Sequence, residues 1–177
     1  ICSENLDFVV NKFNNWGLRL ICLNSVFKIN AKKTNAAAIN MDSMRNFFNE
    51  IGNNEELLTI ALTHHTSLSA EFLEEHEISN IKNAFNTLRR SANAKIIMGG
   101  HRHKNEKEEG SNSAKKTLYT IEAASLRVED ESQNYVRGFG LLTINKNLEN
   151  AELQYFIFDK EDGEIKTDIS YHYELQV

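Results

Sequence analysis

Four histidines in two short clusters are the residues of this chain best suited to chemistry. His64 and His65 follow the apolar run LLTIALT, and His101 and His103 close the segment KIIMGGHRH. Two positions apart in an extended segment, His101 and His103 project to the same side. The preceding pair, Gly99 and Gly100, lets the backbone turn tightly, so that imidazoles from two segments can face one centre. A neutral imidazole nitrogen is a good ligand for Zn, Mn, Fe and related ions. Three convergent imidazoles, from His64, His101 and His103, would make a metal site. The other two histidines, His76 in a polar helical stretch and His172 in an alternating terminal segment, carry no such expectation.

The elements that must position these side chains follow from apolar periodicity. Leu6, Val9, Val10 and Phe13 fall at helical spacing, with Ser3 as N-cap and Gly17 as stop, which predicts an N-terminal helix. LRLICLN (18–24) predicts an interior strand, apolar on both faces. Residues 25–39 show no period and read as loop. Asn40 can cap a helix that buries Met44, Phe47, Phe48 and Ile51 before Gly52 ends it. The run ending at His64 and His65 is of strand length. A helix follows over 71–92 with Ile78, Ile81, Phe85 and Leu88 inward, and then the strand ending at Gly99–Gly100. Strand, helix, strand, helix, strand predicts a layered α/β sheet, in which ligand sites gather at the C-terminal strand ends. The stretch KNEKEEGSNSAKK (104–116) reads as an exposed, charge-dense loop. Beyond it, four strand-like runs separated by turns suggest an antiparallel meander. With no internal repeat and no linker, residues 1–177 read as a single domain.

Composition narrows the function classes. The chain has 177 residues, 41% hydrophobic and 25% charged, which are globular proportions. It contains no apolar run of membrane-spanning length, so no membrane role is expected, and no signal-peptide pattern is visible. A net charge of −5 argues against non-specific nucleic-acid binding, although a local basic groove leaves nucleic acid open. Two cysteines, Cys2 and Cys22, make no disulfide framework, and the expected compartment is cytoplasmic. Proline is absent altogether.

The pairing of strand-HH in TIALTHHTS with strand-GHRH in KIIMGGHRH resembles the last two motifs of the calcineurin-like metallophosphoesterases. RLICLNS resembles the strand that precedes those motifs, and RGFGLLTINKNLENAELQYFIFD the closing strands, so the resemblance spans roughly residues 17–160. It implies a four-layer αββα sandwich with two divalent metal ions (Mn, Fe or Zn) at its centre. His64 and His101 would bind one ion and His103 the other. His65 and Arg102 occupy non-ligand positions. Arg102 is the candidate substrate-binding residue, through a phosphate oxygen, beside a plainer role as an exposed spacer.

The chain departs from the family pattern in two places. Thr66 stands where the family usually has proline. The earlier motifs D-x-H, G-D-x-x-D and G-N-H-D/E are absent, and with them the carboxylate that bridges the metals. Two dications about 3.5–4 Å apart repel strongly and need bridging anionic charge. Three neutral imidazoles supply none, so this chain alone is expected to hold at most one ion, weakly, and to contain no catalytic residue of its own.

The leading expectation is therefore the C-terminal portion of a metallophosphoesterase domain. The complete protein would hydrolyse phosphate mono- or diesters, with the N-terminal motifs lying upstream of Ile1 or on another chain. The alternative is a non-catalytic interaction or regulatory domain that keeps the fold without a working dinuclear centre. A third reading is a mononuclear zinc site of His64, His101 and His103. A half-sandwich would also expose apolar faces, so self-association or pairing with the missing half is expected.

Overall fold

Strands whose residues are buried on both faces form the centre of this protein, and helices and a second sheet cover them from opposite sides. The computed structural model describes residues 7–26, 28, 36–51, 56–102, 105–110, 117–123, 137–159 and 162–175. Its elements are, in order, β1 (Phe8–Val10), β2 (Leu18–Cys22), α1 (Met41–Ile51), β3 (Leu58–Leu62), α2 (Glu75–Ser91), β4 (Ala94–Gly99), β5 (Glu106–Gly110), β6 (Leu118–Glu122), β7 (Gly138–Ile144), β8 (Asn150–Phe158) and β9 (Ile165–Glu174). Short 3-10 helices cover Asn14–Trp16 and Ser67–Phe72. One sheet has the order β1-β2-β3-β4-β6-β5, and β7-β8-β9 form the other. Strands β2, β3, β4 and β6 run parallel, with antiparallel β1 and β5 at the edges.

Two apolar cores follow from the alternation of side chains along the parallel strands. Ile21, Ala61 and Ile97 point to one face and pack against Met44 and Phe48 of α1 and Ile81, Phe85 and Leu88 of α2. Leu58, Ile60, Ile96 and Ile121 point to the other face, against Ala151, Leu153, Tyr155 and Tyr173 of the second sheet. The fold is thus α/β, with layers in the order helices, six-stranded sheet, three-stranded sheet among the described residues. No helix among them is long and apolar enough to cross a membrane.

The helices start where their caps dictate. Asn40 Oδ1 accepts the amides of Asp42 and Ser43, as expected of an N-cap. A capping box of Glu74 and Glu77 opens α2, and Arg89 and Arg90 occupy its last turn, where cations favour the helix dipole. Asn80 then ties α2 to the preceding connection through both the amide and the carbonyl of Ile39.

Three sequence expectations are corrected. The N-terminal segment is the edge strand β1, not a helix, and Ser3 and Leu6 lie outside the described residues. Three residues satisfy both periods, and pairing with β2 decides the matter, because Gly17 at φ 75° lets the chain reverse after the turn. Residues 106–110, expected as loop, form β5. An edge strand exposed on its outer side shows no apolar alternation, and charged residues such as Glu108 and Glu109 suit an edge. Finally, β6 is not the first strand of the meander but pairs parallel to β4. All five of its residues are buried, as for an interior strand.

Glycine is required at one of the two paired positions before His101. A Cβ on Gly99 would lie 2.2 Å from Thr66 Cγ2 and 3.1 Å from the Thr63 carbonyl, whereas one on Gly100 would meet nothing within 4 Å. Gly99→Ala should therefore cost about 1–3 kcal/mol in urea denaturation, and Gly100→Ala should stay within about 0.5 kcal/mol. Equal losses would show that close approach is not what selects glycine at position 99.

Candidate metal centre

Parallel pairing of β3 with β4 places Leu62 opposite Met98, so the segments that follow leave the sheet side by side at one edge. Backbone bonds continue the pairing past the strands. Thr63 N donates to Met98 O at 3.0 Å and Gly100 N donates to His64 O at 3.2 Å. His64, His65 and His101 then converge, with one ligand nitrogen from each lying within 4.8 Å of the others. His64 Nε2 and His101 Nδ1 are 3.1 Å apart, within hydrogen-bond distance.

His101 reaches this position through a strained backbone. Its φ is 77°, and Arg102 N donates to Gly100 O at 3.0 Å, which closes a γ-turn centred on His101. That turn is rare for a residue with a side chain, and such conformations persist where the surroundings over-determine them. The glycine pair thus divides its work. Gly99 allows close approach, while the positive φ falls on His101 itself.

His65 is 1% exposed and is fixed by Ser25, which follows β2. Ser25 Oγ accepts the His65 amide at 3.0 Å and lies 3.1 Å from Nδ1. A serine hydroxyl can donate or accept, so this contact holds the Nδ1 side of the ring in either tautomer. Nε2 is itself buried without a hydrogen-bond partner. Burial first, and then the nearby His101 and His64, push its pKa down to about 4.

Arg102 is buried rather than an exposed spacer, because its charge is needed inside. Its Nε donates to Glu122 Oε2 at 2.8 Å, and a terminal nitrogen donates to Glu106. Burial opposes the guanidinium charge, but the bonds to Glu122 and Glu106 outweigh it and hold the pKa above its ordinary value. Glu122, fully buried, also accepts Ser69 Oγ at 2.8 Å and the Thr66 hydroxyl. Tyr155 Oη lies 2.7 Å from the carbonyls of Glu106 and Glu122, so β8 is fastened to the same corner.

The structure thus brings His64 and His101 together as expected and adds His65 and the Ser25–His65 contact. His103 lies outside the described residues. His76 pairs with Glu74 at the surface, and His172 is exposed on β9, so neither joins the site. Sequence reading missed Ser25 and Glu122. Ser25 sits just past a strand end, where a signal existed, but Glu122 sits in a strand whose burial was not legible. Among the described residues no aspartate or glutamate joins the three imidazoles.

No protein-family model and no curated protein sequence matches the chain. Among solved structures, a double mutant of Vps29 from Entamoeba histolytica is 15% identical, over 97% of this chain and 94% of that one, with a TM-score of 0.41. A zinc complex of wild-type Vps29 from the same organism is 14% identical, over 89% and 99%, at 0.34. Vps29 from Chaetomium thermophilum, complexed with a cyclic peptide, is 11% identical, over 97% and 100%, at 0.37. At such identities and superpositions the chemistry of the site rests on its own residues.

Two outcomes follow from this geometry. His101→Gly should be more stable than His101→Ala by about 1 kcal/mol, since only the alanine bears the cost of a left-handed φ; equal denaturation midpoints would remove the strain argument. The second concerns pH in the metal-free protein. Unfolded His65 takes up its proton near 6.5 and folded His65 only near 4, so the unfolded state binds more protons between these values. Stability should fall as pH drops from 6.5 towards 4, with a slope from this residue of at most about 1.4 kcal/mol per pH unit. His65→Asn should flatten that slope in denaturation curves taken across the window.

Proposed function

We propose that this chain is a non-catalytic, cation-holding domain of metallophosphoesterase type, with one divalent ion bound between His64 and His101. The observation that carries this reading is the 3.1 Å approach of His64 Nε2 to His101 Nδ1, delivered by two separate strands. Two nitrogens at about 2.1 Å from one tetrahedral ion are about 3.4 Å apart, so a small adjustment admits an ion between them. His103, two residues beyond His101, is the candidate further ligand, and water completes the shell. His65, the third imidazole of the cluster, is held beside the two by Ser25.

The donor set fits one ion and not two. Imidazoles are neutral, and a second dication nearby needs an anionic bridge. Glu122 is engaged by Thr66, Ser69 and Arg102, and Arg102 in turn by two carboxylates, which assigns both to the scaffold. A bound ion would supply Lewis acidity towards a phosphate or carboxylate oxygen, and the protein's part is to hold and orient it. Trp16, which is 73% exposed, and the exposed Leu141 and Ile165 support an interaction role with a partner or a second copy.

A second reading, hydrolysis of phosphate esters by a larger assembly, is favoured by the strain at His101, since strained backbone gathers at active sites. In that reading the carboxylates come from outside the described residues, and His64, His101 and His103 retain their motif roles.

Calorimetric titration with Zn²⁺, paired with p-nitrophenyl phosphate turnover in Mn²⁺, separates the two. About one ion per chain, lost in His64→Ala and His101→Ala, without turnover, is the expected result. Turnover abolished by His64→Ala would replace the non-catalytic reading with the hydrolase. Failure to bind any ion would overturn both for this chain.

A further inference from the structure

Glu122, the last residue of β6, has each carboxylate oxygen turned to a different histidine segment. Oε1 accepts the hydroxyls of Thr66 and Ser69, from the segment after β3. Oε2 accepts Arg102 Nε, from the segment after β4. Thr66 adjoins His65 and stands two positions from His64, and Arg102 adjoins His101. We propose that Glu122 is a positioning residue for the cation site, one buried carboxylate that fixes the two histidine segments against each other and so sets the His64–His101 separation in advance. This rests on the cation-binding reading above.

A carboxylate at 0% exposure is tolerated only with its donors in place. Its donors come from both segments, so neither segment can shift without leaving buried charge unpartnered. Such a network has two states, complete or costly, and therefore rigidifies what it joins. Thr66, one of the departures from the family pattern the chain resembles, is part of it. Thr66 N donates to Ser69 Oγ at 3.2 Å and its hydroxyl donates to Glu122. Proline at this position has neither donor, so the network belongs to this sequence. Ser69 and Thr66 are fully buried and Arg102 is 6% exposed, which keeps water from substituting for any of them.

The test uses the full chain with Glu122→Gln, Co²⁺ as the probe, and Ile81→Val in the helix-side core as a control of lowered stability. Glu122→Gln should weaken Co²⁺ binding about 10–100-fold and alter the visible spectrum of the bound ion, while Ile81→Val leaves both as in the parent. Amide exchange in the metal-free protein gives a second readout. The Gly100 amide, bonded to His64 O across the two segments, should exchange about tenfold faster relative to the Ile97 amide in Glu122→Gln. Unchanged Co²⁺ affinity, or equal acceleration of Gly100 and Ile97, would overturn the proposal and leave Glu122 a purely structural residue. If the parent binds no Co²⁺, the cation reading fails, and the exchange ratio alone decides whether Glu122 couples the segments.

Discussion

The parallel register of β3 and β4 is the constraint on which the site depends. Two parallel strands end at the same edge of a sheet, so whatever follows each of them is brought together without any contact between the side chains themselves. Here the register sets Leu62 beside Met98, and the next residues carry the pairing into the loops through backbone hydrogen bonds. His64 and His101, 37 residues apart in the chain, become neighbours for this reason. Helix α2 makes the crossover, and its buried stripe of Ile81, Phe85 and Leu88 holds the two strands flat against the helical layer.

The middle of the central sheet and its C-terminal strand ends have different characters. Towards the helices the core is almost wholly aliphatic and supplies non-directional burial. At the C-terminal strand ends, by contrast, buried polar groups accumulate: Thr66, Ser69, Arg102, Glu122 and the hydroxyl of Tyr155. Apolar packing tolerates small displacements, whereas a buried charge needs its partners at hydrogen-bond distance. The polar corner therefore gives the loops a defined geometry that the apolar core alone would leave looser. Strain at His101 is sustained in the same place, between the γ-turn on one side and the Arg102 anchor on the other.

Charge sets the limit on what the cluster can hold. Imidazoles offer lone pairs but no negative charge, and Glu122, the carboxylate anchored to both loops among the described residues, is neutralised by Arg102. Ser25 adds a further constraint by holding the Nδ1 side of His65 in a buried hydrogen bond.

The sequence by itself determined the helices α1 and α2, the strands β2, β3 and β4 and the two histidine segments, because each rests on local signals. Asn40 caps α1, apolar residues at helical spacing mark α2, and unbroken apolar runs mark β2, β3 and β4. Motif spacing also picked out His64 and His101. Only the tertiary structure decided the rest. The N-terminal residues fit a helix and a strand alike until β2 offered them an edge. The charged run of β5 has no apolar period, since its outer side faces water, and β6 reads like any meander strand until its pairing with β4 is known. Glu122 and Arg102 look like surface residues in the chain, as charged residues usually are. Their role exists only because residues distant in sequence meet around them, and no local pattern encodes that meeting.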